Sequence, residues 1–210
     1  MIAFDAATGA NYTAATSGSF SHTCTGTNRG LLAFTYTSGA TQSGATVQYN
    51  GVSMTYVGNI DSGNGEGVSC WKLANPASGS NTFSWSGLSN SNSRFSVASY
   101  TGVDQTDIVH NSNFVAQTAD PITPSVTSSI ADCWAVVSTT FQGSYVGFNT
   151  GTQRQGSSTN KQIIGDSNGT FSTSYAFSID QAASVAAGSA VIALKPAVAA
   201  TNSNFLMFMG

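Results

Sequence analysis

The chain has 210 residues, of which 7% are charged, 40% hydrophobic and 10% aromatic, with a formal net charge of -3. That length suits one domain with a substantial core, and the dispersed aromatics argue against intrinsic disorder because their burial can offset the entropy of ordering the chain. Six basic residues (Arg29, Lys72, Arg94, Arg154, Lys161, Lys195) lie far apart, which excludes the basic footprint of a nucleic-acid or anionic-membrane partner, and no stretch approaches the ~18–20 apolar residues of a membrane span.

From the start of the chain, Met-Ile-Ala-Phe-Asp has neither a basic segment nor a long apolar run, so it does not read as a secretory signal, and folding in a cytoplasm is expected. Residues 1–18, small and polar from Asp5 onward, read as an arm or edge strand. From residue 19 to 196 the patterning has period two. Strands are predicted over 20–24, 31–37, 46–49, 52–57, 68–73, 81–86, 95–100, 133–141, 171–179 and 190–194. In the sixth, Phe83 and Trp85 face one way and the hydroxyls the other, as a half-buried strand requires. In the ninth, Phe171, Tyr175, Phe177 and Ile179 share a face. Asn50-Gly51 between two such runs predicts a hairpin, since both residues tolerate positive φ. Asp61–Gly67 is a glycine-rich loop, and Asp180–Ala187 reads as one short turn. About ten strands separated by turns predict an all-β, two-sheet antiparallel sandwich of jelly-roll type, with a closed barrel as the competing architecture. Residues 197–210 read as a small-residue linker followed by Phe205-Leu206-Met207-Phe208-Met209. Five large apolar residues there would be an exposed patch, so they either form a last strand or dock on another subunit, and the docking reading makes them an assembly contact.

Chemistry-bearing residues are sparse. The chain has two histidines, His22 and His110, and one glutamate, Glu66; no Gly-x-Ser-x-Gly nucleophile turn occurs, and a glycosidase needs a second carboxylate beside Glu66. No catalytic residues are therefore assigned, and no cofactor. Asp61, Asn64 and Glu66 offer hard oxygen ligands to a metal such as calcium, but without the Asp-x-Asp-x-Asp-Gly spacing, so a plain hairpin loop is the leading reading. Asp104 and Asp107 invite the same question, and an Asx-turn is favoured there. His22 and Cys24 share a strand face but lack the further ligands of a zinc site, so packing is expected. Trp85 and Trp134 sit in alternating strands and read as core, whereas Trp71 is the candidate for glycan stacking. Cys24, Cys70 and Cys133, odd in number and widely spaced, read as buried free thiols, the alternative being one disulfide plus a thiol. Sequons at Asn11 and Asn168 matter only in a eukaryotic secretory pathway.

Several segments together carry a resemblance. They are 21–29 (Ser-His-Thr-Cys-Thr-Gly-Thr-Asn-Arg), 49–55 (Tyr-Asn-Gly-Val-Ser-Met-Thr), 71–82 (Trp-Lys-Leu-Ala-Asn-Pro-Ala-Ser-Gly-Ser-Asn-Thr), 98–106 (Ala-Ser-Tyr-Thr-Gly-Val-Asp-Gln-Thr) and 193–196 (Ala-Leu-Lys-Pro). In this order they resemble a jelly-roll-like β-sandwich domain that recurs in tailed-phage virion proteins and large bacterial surface proteins. The resemblance spans roughly residues 20–196, rests on turn and strand signatures, and brings no catalytic residues. It implies a virion structural protein, assembled in the host cytoplasm, such as a capsid decoration or fibre subunit. Its partners would be its own copies, with a trimer as the working symmetry, and a major capsid or other virion protein. The alternative is a carbohydrate- or receptor-binding module of a phage tail or cell surface.

Overall fold

Eighteen β-strands, and no helix, form the regular structure of the residues described by the computed structural model, 1–11, 16–37, 42–89, 93–156 and 161–198. The first nine are β1 (Ala3–Asn11), β2 (Gly18–Cys24), β3 (Gly30–Thr37), β4 (Thr46–Tyr49), β5 (Val52–Ser53), β6 (Thr55–Asp61), β7 (Gly67–Ala74), β8 (Gly79–Ser86) and β9 (Ser93–Thr101). The second nine are β10 (Val109–Thr118), β11 (Ser125–Thr127), β12 (Cys133–Phe141), β13 (Tyr145–Thr150), β14 (Thr152–Gln155), β15 (Gln162–Phe171), β16 (Ser174–Ala176), β17 (Ser178–Gln181) and β18 (Ala186–Leu194).

Two five-stranded antiparallel sheets, β1-β9-β3-β7-β6 and β10-β18-β12-β15-β14, form the middle of the molecule. Outside the first lies the four-stranded sheet β2-β8-β4-β5; outside the second lie the pairs β11-β16 and β13-β17. The all-β antiparallel sandwich is thus built as four layers. Three apolar clusters fill the three gaps. Leu32, Phe34, Tyr100, Val136, Ile164 and Ile192 pack between the middle sheets. Leu31, Ala33, Trp71, Phe95 and Val97 pack outward against Tyr49, Phe83 and Trp85, and Ala135, Val137, Val191 and Ala193 against Val126, Tyr145 and Ile179.

One topology occurs twice. Replacing β1, β9, β3, β7 and β6 by β10, β18, β12, β15 and β14 converts one middle sheet into the other. The bulges of the edge strands coincide: β1 shifts register between Phe4 and Ala6, β10 between Val109 and Asn111, β6 between Tyr56 and Gly58, and β14 between Gln153 and Gln155; the shift in β12 between Trp134 and Val136 has no counterpart in β3. Bulges re-aim a strand at a chosen point, so two matched pairs mark two copies of one unit. The long β8 of the first unit is represented by the shorter β16 and β17 of the second, which pair with β11 and β13 as β8 pairs with β2 and β4. The middle sheets stack with β1 against β14 and β6 against β10. Since β1 and β6 correspond to β10 and β14, this is the self-complementary contact of a twofold dimer made within one chain.

The strand count differs from the ten expected for a physical reason. Strands β1 and β10 lie at the sheet edges, are rich in small and polar residues, and carry no strong alternation. Strand β15 holds Gly-Asp-Ser-Asn-Gly at 165–169 and reads as a loop. The single strand expected over 171–179 is instead the end of β15, then β16 and β17, although Phe171, Phe177 and Ile179 do share one buried cluster. The hairpin at Asn50-Gly51 is present, with φ of 49° and 75° joining β4 to β5. Among the described residues no helix is long and apolar enough to cross a membrane.

Candidate functional site

The bulge in β1 turns Asp5 toward β9 and β2, where it meets a buried polar chain. Ser99, fully buried on β9, donates its hydroxyl to Asp5 Oδ2 at 2.7 Å. That leaves Ser99 Oγ to accept from His22 Nε2 at 3.1 Å, and His22 Nδ1 to accept from the Thr8 hydroxyl at 2.9 Å. Thr25 donates to both oxygens of Asp5 through its amide and hydroxyl. Burial pushes the Asp5 carboxyl up, but hydrogen bonds from Thr25 and Ser99 outweigh it and hold the group below its usual range. Burial dominates at His22 and pushes it down to about 4 against the nearby Asp5 charge, so the ring is neutral. These are the residue types of a serine nucleophile site in another order. Such a site needs imidazole between carboxylate and serine; here serine stands between carboxylate and imidazole. Its proton points at Asp5, its oxygen is occupied by His22, and neither Ser99 nor His22 reaches solvent. The network ties β1, β2 and β9 together. At the corresponding bulge of the second unit stands His110, whose Nε2 accepts from the Ser129 amide at 3.3 Å.

Each candidate ligand loop has part of its oxygen set engaged internally. Asp61 Oδ1 accepts from the Gly63 amide at 2.9 Å, and the Ser62 amide donates to the Glu66 carbonyl at 3.0 Å. Asn64 is exposed at the loop tip, whereas Glu66 is buried with Oε1 3.4 Å from Lys161 Nζ. Burial raises the Glu66 carboxyl, with Tyr36, Lys161 and Arg94 opposing. Asp104 Oδ1 caps the Thr106 and Asp107 amides in the expected Asx-turn, and its Oδ2 lies 3.0 Å from Lys195. Among the described residues no three His, Cys, Asp or Glu side chains are grouped to hold a metal. Trp71 requires a correction. It is 1% exposed, edge-on to Tyr56 and tilted against Phe95, so a sugar has no ring face to stack on: strand β7 is covered on both sides, and either face of it is core. Cys24, Cys70 and Cys133 are buried free thiols.

An apolar cleft of about 780 Å³ lies where residues 1–3 meet residues 196–197, lined chiefly by Met1, Ile2, Ala3, Trp134, Pro196 and Ala197, with Asp132 and residues 168–170 at its side. Its counterpart in the first unit, lined by Lys72, Leu73, Ala74, Thr106, Asp107 and Ile108, is about 390 Å³. Matching bulges equate Phe4 with Val109, so Met1–Ala3 correspond to Thr106–Ile108. The ladders likewise equate Gly30 with Trp134 and Ala74 with Thr170. In the first unit Val103 and Ile108 press on Gly30, where a Cβ would meet Val103 Cγ2 at 2.7 Å, and the Lys72–Asp107 ion pair of 2.6 Å lies in the lining of the hollow. In the second unit Trp134 forms the floor and Ile2 takes the place of Asp107. One topology therefore carries a smaller hollow with an ion pair in its lining and a larger, more apolar copy of it.

Of the residues expected to act, Asp61 and Glu66 lie at opposite ends of one loop, Trp71 is core, and Phe205, Leu206, Met207, Phe208 and Met209 lie outside the described residues. The Asp5–Ser99–His22 chain and the cleft were not legible beforehand. Asp5 and Ser99 are separated by most of the first unit, and Met1–Ala3 meet Trp134 only because the two units stack. A scan of protein-family models finds no match to the chain, and a search of curated proteins finds no relative.

Proposed function

We propose that the chain is a non-enzymatic structural subunit of a virion, such as a capsid decoration or fibre protein, acting through contacts with its own copies and with a shell protein. The open apolar cleft carries this reading. Exposed concave apolar surface of this kind is a usual mark of an interaction site, whereas the polar groups nearest to a catalytic arrangement are enclosed and already satisfied. The low charge supports it as well, since a surface of Ser, Thr, Asn and Gly presents fewer long side chains to immobilise against a neighbour. The virion setting rests on the resemblance of segments 21–29, 49–55, 71–82, 98–106 and 193–196 to a sandwich domain found in such particles. An antibody raised against the chain, used in immuno-electron microscopy of particles purified from its source, should label them at regular positions. Label confined to particle-free cell extract would overturn the assignment.

A further inference from the structure

We infer that Asn64, at the tip of the loop between β6 and β7, is a site of spontaneous modification, where the Gly65 backbone nitrogen closes a ring on the Asn64 side chain and expels its amide as ammonia. This chemistry asks nothing of a partner, so it is independent of the assembly reading. The chain holds three Asn-Gly pairs, at 50–51, 64–65 and 168–169. Glycine, without a Cβ, leaves its amide nitrogen open to close approach, so all three pairs carry the same chemistry and the fold decides which reacts. Ring closure requires that the Asn side chain turn back over its own backbone and that the next amide be free to meet it.

Asn50 has no such freedom. It is held at φ 49° with Gly51 at φ 75° in the turn that joins β4 to β5, and its amide donates to the Thr82 carbonyl of β8 at 2.8 Å. Asn168 is held as well. It stands at φ 47° within β15, its Oδ1 accepts from Arg154 Nη2 at 2.7 Å, and its amide donates to Asp166 Oδ1 at 3.0 Å. Asn64 is exposed, and the hydrogen bonds of its loop stop below the tip, with the Ser62 amide on the Glu66 carbonyl at 3.0 Å and the Gly63 amide on Asp61 Oδ1 at 2.9 Å. Among the described residues none engages the Asn64 side chain or the Gly65 amide. The flanking Gly63 and Gly65 have φ of 79° and 87°, and a Cβ at Gly63 would touch nothing within 4 Å, so no neighbour crowds the tip.

Hydroxide takes the proton of the Gly65 amide, and the nitrogen attacks Asn64 Cγ. A C–N bond forms, the bond from Cγ to Nδ2 breaks, and ammonia leaves with a proton returned by water, giving a five-membered succinimide. Water then adds to either ring carbonyl and opens the ring to an aspartyl residue or to its β-linked isomer. The balance is one water consumed and one ammonia released. The product adds a carboxylate to a loop that already holds Asp61 and makes the formal net charge of -3 more negative.

The test keeps the full chain folded in mildly alkaline buffer and, in parallel, unfolded in guanidinium chloride. Peptide mapping by mass spectrometry follows the conversion of each Asn-Gly pair with time. In the folded chain Asn64 should convert faster than Asn50 or Asn168 by roughly tenfold or more, the ratio expected when a charge-assisted hydrogen bond or a fixed turn must first be released at the other two. Unfolded, the three should convert at comparable rates, because the contacts that distinguish them are gone. Asn64→Gln, with circular dichroism to establish folding, should suppress the first acidic species resolved by ion exchange, since glutamine would have to close a larger ring. Three results each overturn the inference: Asn50 or Asn168 converting as fast as Asn64 in the folded chain, folded Asn64→Gln accumulating the acidic species at the unaltered rate, or Asn64 staying intact in the folded chain while it converts in the unfolded one.

Discussion

At His22, side-chain chemistry and position in the fold pull against each other. Imidazole ordinarily titrates near 6.5, but burial among Thr8, Ser99 and Tyr49 holds it down to about 4. The folded-state value lies below the unfolded one, so the full contribution to stability is present above pH 6.5 and is lost as the pH falls toward 4, because only the unfolded chain takes up the proton. Chemical denaturation between pH 7 and 4 should therefore show stability falling by up to about 3 kcal/mol, and His22→Gln should flatten that slope. An unchanged slope in the variant would place the pH dependence elsewhere. The sequence showed His22 and Cys24 on one strand face and predicted packing, and both are buried. It did not show Ser99 or Asp5 beside them, since Ser99 lies 77 residues from His22 and both partners belong to another sheet.

Among the elements, the edge strands hold the two units together. Gly58, in the bulge of β6, faces the ring of Phe114 on β10, and a Cβ there would fall 2.5 Å from it. Gly58→Val should destabilise by about 1–3 kcal/mol through overpacking, and adding Phe114→Leu should recover part of that loss, giving a non-zero coupling in a double-mutant cycle of urea melts. Additive effects would mean that the two strands do not press on each other as described. Legibility in sequence follows burial. Strands β3, β12 and β18 are buried at every position because both faces are covered, and they read as near-continuous apolar or small-residue runs. Strand β10 has no buried position and four exposed ones among its ten residues, so its sequence carries little apolar pattern.

For the whole molecule, the two units share a core and are tied by polar contacts across it. Asp166, fully buried on β15, accepts from Arg154 at 2.7 Å within its own unit and from the Tyr100 hydroxyl at 3.2 Å from the other, while the Arg154 guanidinium stacks 4.3 Å from the Phe4 ring centroid. Asp166→Ala should cost about 3–5 kcal/mol by stranding the guanidinium and the phenol. Each unit alone would expose one face of its middle sheet. Calorimetry should accordingly record one transition for the whole chain, with calorimetric and van't Hoff enthalpies in agreement, and Asp166→Ala should lower that single transition instead of splitting it. Two resolved transitions in the unaltered chain would mean that the units fold independently.

The sequence by itself determined the fold class, the antiparallel pairing, the hairpin at Asn50-Gly51 and the free thiols, because alternation, turn chemistry and cysteine number act over a few residues and leave their mark locally. The repetition of one nine-stranded unit, the different sizes and linings of its two corresponding hollows, and the burial of Trp71 were decided only by tertiary structure. Corresponding positions such as Gly30 and Trp134, or Lys72 and Asp166, share a place in the ladder and not a side chain. Backbone register is a relation between distant strands, and a single strand's residues do not encode which partner it meets.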